Sequence, residues 1–291
     1  MNSCRLLLLQ LIISFAFSYE TYHQIRVSNV TIDDLQLFQS SGIDIDHNTF
    51  VPGEYIEFAI SDIDIEKLII LGYSYEVLIE DLQHFYESRL TTNYTREFGL
   101  GSMGGYYTLD EAVQRLDDIH AEYPEFVSEK VSIGTSYEGR DIWAIKLSDN
   151  PNIDEDEPEM LYTGLHHARE PMSFMNLYYF IYWLLENYEA DHQAKNILDN
   201  RELWFIPIVN PDGYEYNREI APNGGGMQRK NRKDTCFNDN NSSDWDGIDL
   251  NRNYGYQFHY DDVGSSSDPC GQTYRGVSAF SEPETQTIRD F

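Results

Sequence analysis

The sequence predicts an α/β protein: a mixed central sheet with helices on both faces, preceded by a small α+β domain. Three observations carry that expectation. Short apolar runs suited to strands ("DIWAIKLSD", "EMLYTGL", "ELWFIPIVN") are separated by longer helical segments, the pattern of a covered α/β sheet. One segment, "PMSFMNLYYFIYWLLENY", is apolar almost all round and needs cover on most of its surface. Upstream, a shorter alternation of strand-like and helix-like pieces stops at a polar, glycine-rich stretch over 91–104, which marks a linker between two units.

Taken in order, residues 1–18 place Arg5 before an apolar run from Leu6 to Phe17, with the small Ala16 and Ser18 as a cleavage site. That is the build of a secretory signal peptide, and the run is short of the ~20 residues a spanning helix needs. Residues 19–90 read as a β-α-β-α-β unit: "HQIRVS", "TIDDLQLFQSSG", "EYIEFAIS", "DIDIEKLIILG", "YEVLIE" and "DLQHFYESRL". Gly42 and Gly72 stand where its helices end. His23, His47 and His84 are scattered through it and read as ordinary isolated histidines. Arg89 and Arg96 flank or enter the linker, where a trypsin-like protease would cut.

The second domain, 105–291, opens with a helix capped by Thr108 and Glu111, with Ala112, Val113, Leu116 and Ile119 on one face. Two strands follow, "EKVSIGTS" and "DIWAIKLSD", joined by the turn "YEGR". The run "EMLYTGL" suits a central strand; the apolar helix starts at Pro171; the strand "ELWFIPIVN" runs into the turn "NPDG".

Composition narrows the function. Fifty acidic residues against twenty basic give a net charge of −30, which repels nucleic-acid phosphates and anionic membranes and speaks against both as partners. Hydrophobic residues at 41% still allow a sizeable core, so the acidity belongs to the surface of a folded body. A monomer is expected. With Cys4 lost in the signal, Cys236 and Cys270 remain as a pair in an oxidising compartment, and a disulfide between them is expected. Sequons at Asn29, Asn93, Asn240 and Asn241 fit the same extracellular route.

The chemistry concentrates in "YTGLHHAREPM", at the junction of a strand and a helix where open α/β sheets hold ligands. Catalytic zinc takes nitrogen from histidine and oxygen from glutamate, and His167 and Glu170 have the spacing H-x-x-E, with His166 a competing choice. Alone, that spacing is weak. It is followed in order by "IVNPDGYEYN", "MQRKNRK", "GIDLNRNYGY" and "SSSDPCGQTYRGVSAFSEPET". Together these motifs resemble the zinc metallocarboxypeptidases of the carboxypeptidase A/B family, with details similar to the carboxypeptidase T-like branch.

The resemblance implies a zinc carboxypeptidase-like fold, one Zn2+, and peptide or protein C-termini as substrate. It assigns His167 and Glu170 to the metal, Arg229 to polarising the oxyanion, and Asn251 with Arg252 to the terminal carboxylate. Arg169 would contact substrate further from the cut, and the small first domain would be a propeptide. Arginine suits these roles because its planar fork matches a carboxylate. Read without the resemblance, "MQRKNRK" is a solvated basic turn, and Asp249 stands where it could pair with Arg252 and aim it.

The family's third zinc ligand, a histidine, its clamping tyrosine, its specificity pocket and its glutamate base would fall beyond Phe291. His192 and His259 do not fit the missing ligand role. The expectation is therefore a secreted zymogen seen in its N-terminal part. A truncated or inactive relative that acts at most as a binding protein is the alternative.

Overall fold

The computed structural model describes residues 21–88, 99–236 and 246–291. The signal segment 1–18, Cys4, Arg89, Arg96, most of the linker and the sequons at Asn93, Asn240 and Asn241 lie outside the described residues.

The first unit is built on β1 (Tyr22–Ser28), α1 (Ile32–Ser40), β2 (Thr49–Val51), β3 (Tyr55–Ser61), α2 (Asp62–Ile70), β4 (Glu76–Ile79) and α3 (Leu82–Ser88). Its strands form an antiparallel sheet in the order β2-β3-β1-β4. Period-2 alternation sends Ile25 and Val27 of β1, with Ile56, Phe58 and Ile60 of β3, to one face. There they meet Phe38 of α1 and Leu68 of α2. On the other face Arg26 bonds Glu57 at 2.8 Å. Thr31 and Asp34 form the capping box that starts α1, and the Ser61 side chain caps α2. The short strand β2 was not anticipated; three residues on a sheet edge leave too little periodicity to read.

The link from α1 to β2 matters most for function. In Ile43-Asp44-Ile45-Asp46 the alternation buries both isoleucines in the unit's own core, which turns both aspartates the other way. His47 follows at φ 58°, a left-handed conformation that histidine tolerates better than most side chains.

The second unit contains α4 (Leu109–Glu122), β5 (Val131–Thr135), β6 (Asp141–Leu147), β7 (Glu159–Thr163), α5 (Met172–Glu186), α6 (His192–Leu198), β8 (Glu202–Ile206), α7 (Pro211–Ile220) and α8 (Pro283–Asp290). The sheet runs β5-β6-β8-β7, antiparallel except for the β8–β7 pair. Ile145 and Leu147 of β6 with Leu203 and Phe205 of β8 pack on α4, α5 and α6. Ile142 and Ala144 with Ile206 face the opposite way, against Leu250 and Ile288 of α8. Both faces are covered, as expected.

Two details differ from the sequence reading. The stretch "NPDG" opens helix α7: the Asn210 side chain accepts from Gly213 N at 3.0 Å and Pro211 takes the first helical position. Proline suits a turn and a first helical turn alike, because both want φ near −65°. Strand β7 is not central. It lies at the edge of the sheet among the described residues, with Met160 and Leu161 exposed.

Candidate active site

Strands β7 and β8 run parallel, and the loops after both leave from the same end of the sheet. The loop after β7 carries 164–171. It is held by Leu165 N donating to Ser173 Oγ (3.0 Å) and by Ala168 N donating to the Arg229 carbonyl (3.0 Å). Gly213 sits under this loop, where an added Cβ would stand 2.8 Å from Ala168 Cβ and 2.7 Å from the Lys230 carbonyl. The glycine therefore permits the close approach that brings the loop to Arg229.

His167 is buried, with Nδ1 at 3.0 Å from Glu170 Oε1 and Nε2 at 3.2 Å from Asp249 Oδ1. Asp249 is fully buried and fixes the ring through its second nitrogen, which leaves Nδ1 facing Glu170. Burial works against a charged His167, but Asp249 and Glu170 outweigh it and raise its pKa. Burial likewise pushes Glu170 up, and His167, His47 and Arg229 bring it down to about 2. His166, the competing ligand choice, hydrogen-bonds Tyr254 Oη at 2.7 Å.

Arg229 is 1% exposed and Lys230 fully buried, so "MQRKNRK" is not a solvated turn. Arg229 Nε donates to Asp249 Oδ2 at 3.0 Å, and its Nη1 has no hydrogen-bond partner among the described residues. Asp249 thus pairs with Arg229 and His167 and does not aim Arg252. Arg252 lies in a 3-10 turn, Leu250–Arg252, which Asp249 Oδ1 supports by accepting from Asn251 N at 3.0 Å. Asn251 is exposed beside it, and both line a cleft of about 390 Å³ with Tyr254 and Tyr256. Cys236 and Cys270 form a disulfide that encloses this turn.

What faces these groups is not legible in the sequence. Asp46 Oδ2 lies 2.8 Å from Arg229 Nη2 and 3.0 Å from Arg252 Nη2. Asp44 Oδ2 accepts from Arg169 Nη2 at 2.6 Å and lies 3.5 Å from Arg229 Nη1. Burial would raise the Asp44 carboxyl, but Arg229 and Arg169 hold it at about 2. His47 Nε2 reaches Glu170 Oε1 at 2.9 Å. The loop after α1 therefore touches Arg169, Glu170, Arg229 and Arg252. Its signal in the sequence, an Ile-Asp-Ile-Asp-His run between Gly42 and a strand, is visible only once the facing surface is known.

Comparison with known proteins fits this arrangement. A family model described as zinc carboxypeptidase matches residues 112–291. The chain belongs to the zinc carboxypeptidase family. A zinc carboxypeptidase of Saccharothrix mutabilis subsp. capreolus is 41% identical over 164 residues, 56% of this chain and 35% of the relative. Mouse carboxypeptidase A2 is 32% identical over 76% of this chain and 50% of its own length. The crystal structure of carboxypeptidase A from Helicoverpa armigera aligns with a TM-score of 0.73 at 26% identity, covering 94% of this chain and 66% of that one. The chain thus spans between a third and two thirds of the length of these family members.

The family implies zinc, and the residues fit it. His47, His167 and Glu170 each offer one donor atom, all within 4.8 Å of one another. Two imidazole nitrogens and a carboxylate oxygen are a donor set suited to catalytic zinc.

Proposed function

We infer that this chain is the N-terminal part of a secreted zinc metallocarboxypeptidase zymogen that removes C-terminal residues from peptides and proteins. The observation that carries the reading is the seat of Asp46: one carboxylate shared by Arg229 and Arg252 beside the His167–Glu170 pair. A peptide's terminal carboxylate has the same charge and the same two acceptor oxygens.

In this reading Arg252, with Asn251, grips the terminal carboxylate. Nη1 of Arg229, which makes no hydrogen bond among the described residues, donates to the carbonyl oxygen as charge develops on it, which is worth on the order of 3 kcal/mol in the transition state. Arg169 steadies the peptide upstream. His167, oriented by Asp249, and Glu170 hold the metal, and zinc when bound supplies Lewis acidity toward the scissile carbonyl. Residues 19–90 serve as a propeptide that keeps Asp44 and Asp46 on the arginines until the linker is cut near Arg89 or Arg96 by a trypsin-like protease. The signal segment and the disulfide support the secreted setting.

The test is hydrolysis, by the whole protein of which this chain is a part and after mild trypsin treatment, of a blocked dipeptide with a free C-terminus against the same dipeptide amidated. Release of the last residue from the free acid alone is expected. Equal cleavage of both forms would overturn the assignment. Binding of the free acid without hydrolysis would instead favour a carboxylate-binding relative.

A further inference from the structure

Resting on the metal reading above, we propose that His47 of the N-terminal unit is itself a metal ligand, so that the first unit closes the site through the ion as well as through its aspartates. His47 Nε2 and His167 Nδ1 approach the same carboxylate oxygen, Glu170 Oε1, at 2.9 and 3.0 Å. Donors at the 2.0–2.2 Å zinc distances stand roughly 3.3–3.5 Å apart around a tetrahedral ion. The two contacts to Glu170 Oε1 lie within roughly half an ångström of that spacing, and all three donor atoms lie within 4.8 Å of one another, so side-chain adjustment would bring them around a cation.

The loop is built to deliver that nitrogen. Asp46 is clamped by Arg229 and Arg252, its N–H donates to Asp44 Oδ1 at 2.9 Å, and Asn48 Nδ2 donates to the Ile45 carbonyl at 2.7 Å. The left-handed turn at residue 47 then swings the ring off the line of the two aspartates toward Glu170. No structural need of the first unit explains this placement: the His47 side chain is 69% exposed and outside that unit's core. An imidazole there takes a coordination position that water or substrate would otherwise use. By linkage, the docked unit raises zinc affinity, and zinc to the same degree tightens the docked unit.

Zinc affinity of the 291-residue chain, measured by chelator competition, and the visible spectrum of its Co2+ form test this without any turnover. Asparagine tolerates the left-handed conformation, so His47→Asn removes the ligand nitrogen and keeps the turn. His47→Asn is expected to weaken zinc binding at least about tenfold and change the Co2+ spectrum. His84→Asn, on the same unit and away from the cluster, should change neither, and His167→Ala should abolish binding. If His47→Asn binds zinc like the wild type while His167→Ala does not bind, the ligand role is wrong and the metal site stands. If His167→Ala also binds normally, the metal reading itself fails. X-ray absorption on the wild-type zinc form covers the case of a misfolded variant: two coordinated imidazoles support the proposal and one overturns it.

Discussion

Replacing Asp44 by Asn probes the contact between the two units most sharply. The carboxylate is 8% exposed and is held at about 2, against an ordinary value of 3.8, by Arg229 and Arg169 acting against its burial. A depression of that size corresponds to about 2.5 kcal/mol of folded-state stabilisation of the ionised form. The pKa is lowered on folding, so this contribution is present above about pH 4 and lost as pH falls toward 2. Asp44→Asn should therefore cost about 2 kcal/mol in urea unfolding at pH 7 and almost nothing at pH 2. A double-mutant cycle with Arg169→Gln should return a coupling of about 1–3 kcal/mol, since the two side chains meet at 2.6 Å with little solvent between them. A cost below about 0.5 kcal/mol at pH 7, or an equal cost at both pH values, would refute the claim that this ion pair joins the units.

Other outcomes follow from the second unit. Burial, with Asp212 and Glu282 nearby, lifts the Glu284 carboxyl to about 7 although Tyr137 N donates to it. A raised carboxyl destabilises progressively as pH climbs from about 4.5 to 7, so Glu284→Gln should gain on the order of 2 kcal/mol at pH 8 and flatten that part of the pH–stability curve. Gly213→Ala should lose roughly 2–3 kcal/mol by thermal melt, because backbone at Lys230 cannot retreat from the new methyl, and should weaken zinc binding through Ala168. Replacing Cys236 and Cys270 by Ser opens a loop with a sequence separation of 34 and should cost about 4 kcal/mol in a denaturant titration.

What could be read from the chain alone was whatever depends on neighbours in sequence. Thr108 and Glu111 announce α4 because a capping box is local, and His167 with Glu170 lie on one tight loop. The failures also have physical causes. Proline at residue 211 fits a turn or a helix start, and only the Asn210 cap decides between them. An apolar run such as β7 signals a strand and not its rank in the sheet. Asp44, Asp46 and His47 meet partners more than a hundred residues away, and no periodicity of their own segment encodes that meeting. Asp249 stands beside Arg252 in sequence, yet the turn at Leu250–Arg252 directs its carboxylate to His167 and Arg229.

Arg229 is engaged by Asp44 and by Asp46 at once, and each aspartate also engages a second arginine. Partial loosening would take one of three carboxylates (Asp44, Asp46, Asp249) from a guanidinium held away from water, so graded opening is disfavoured. Distances between the two halves, measured one molecule at a time, should fall into two separate peaks with little between them.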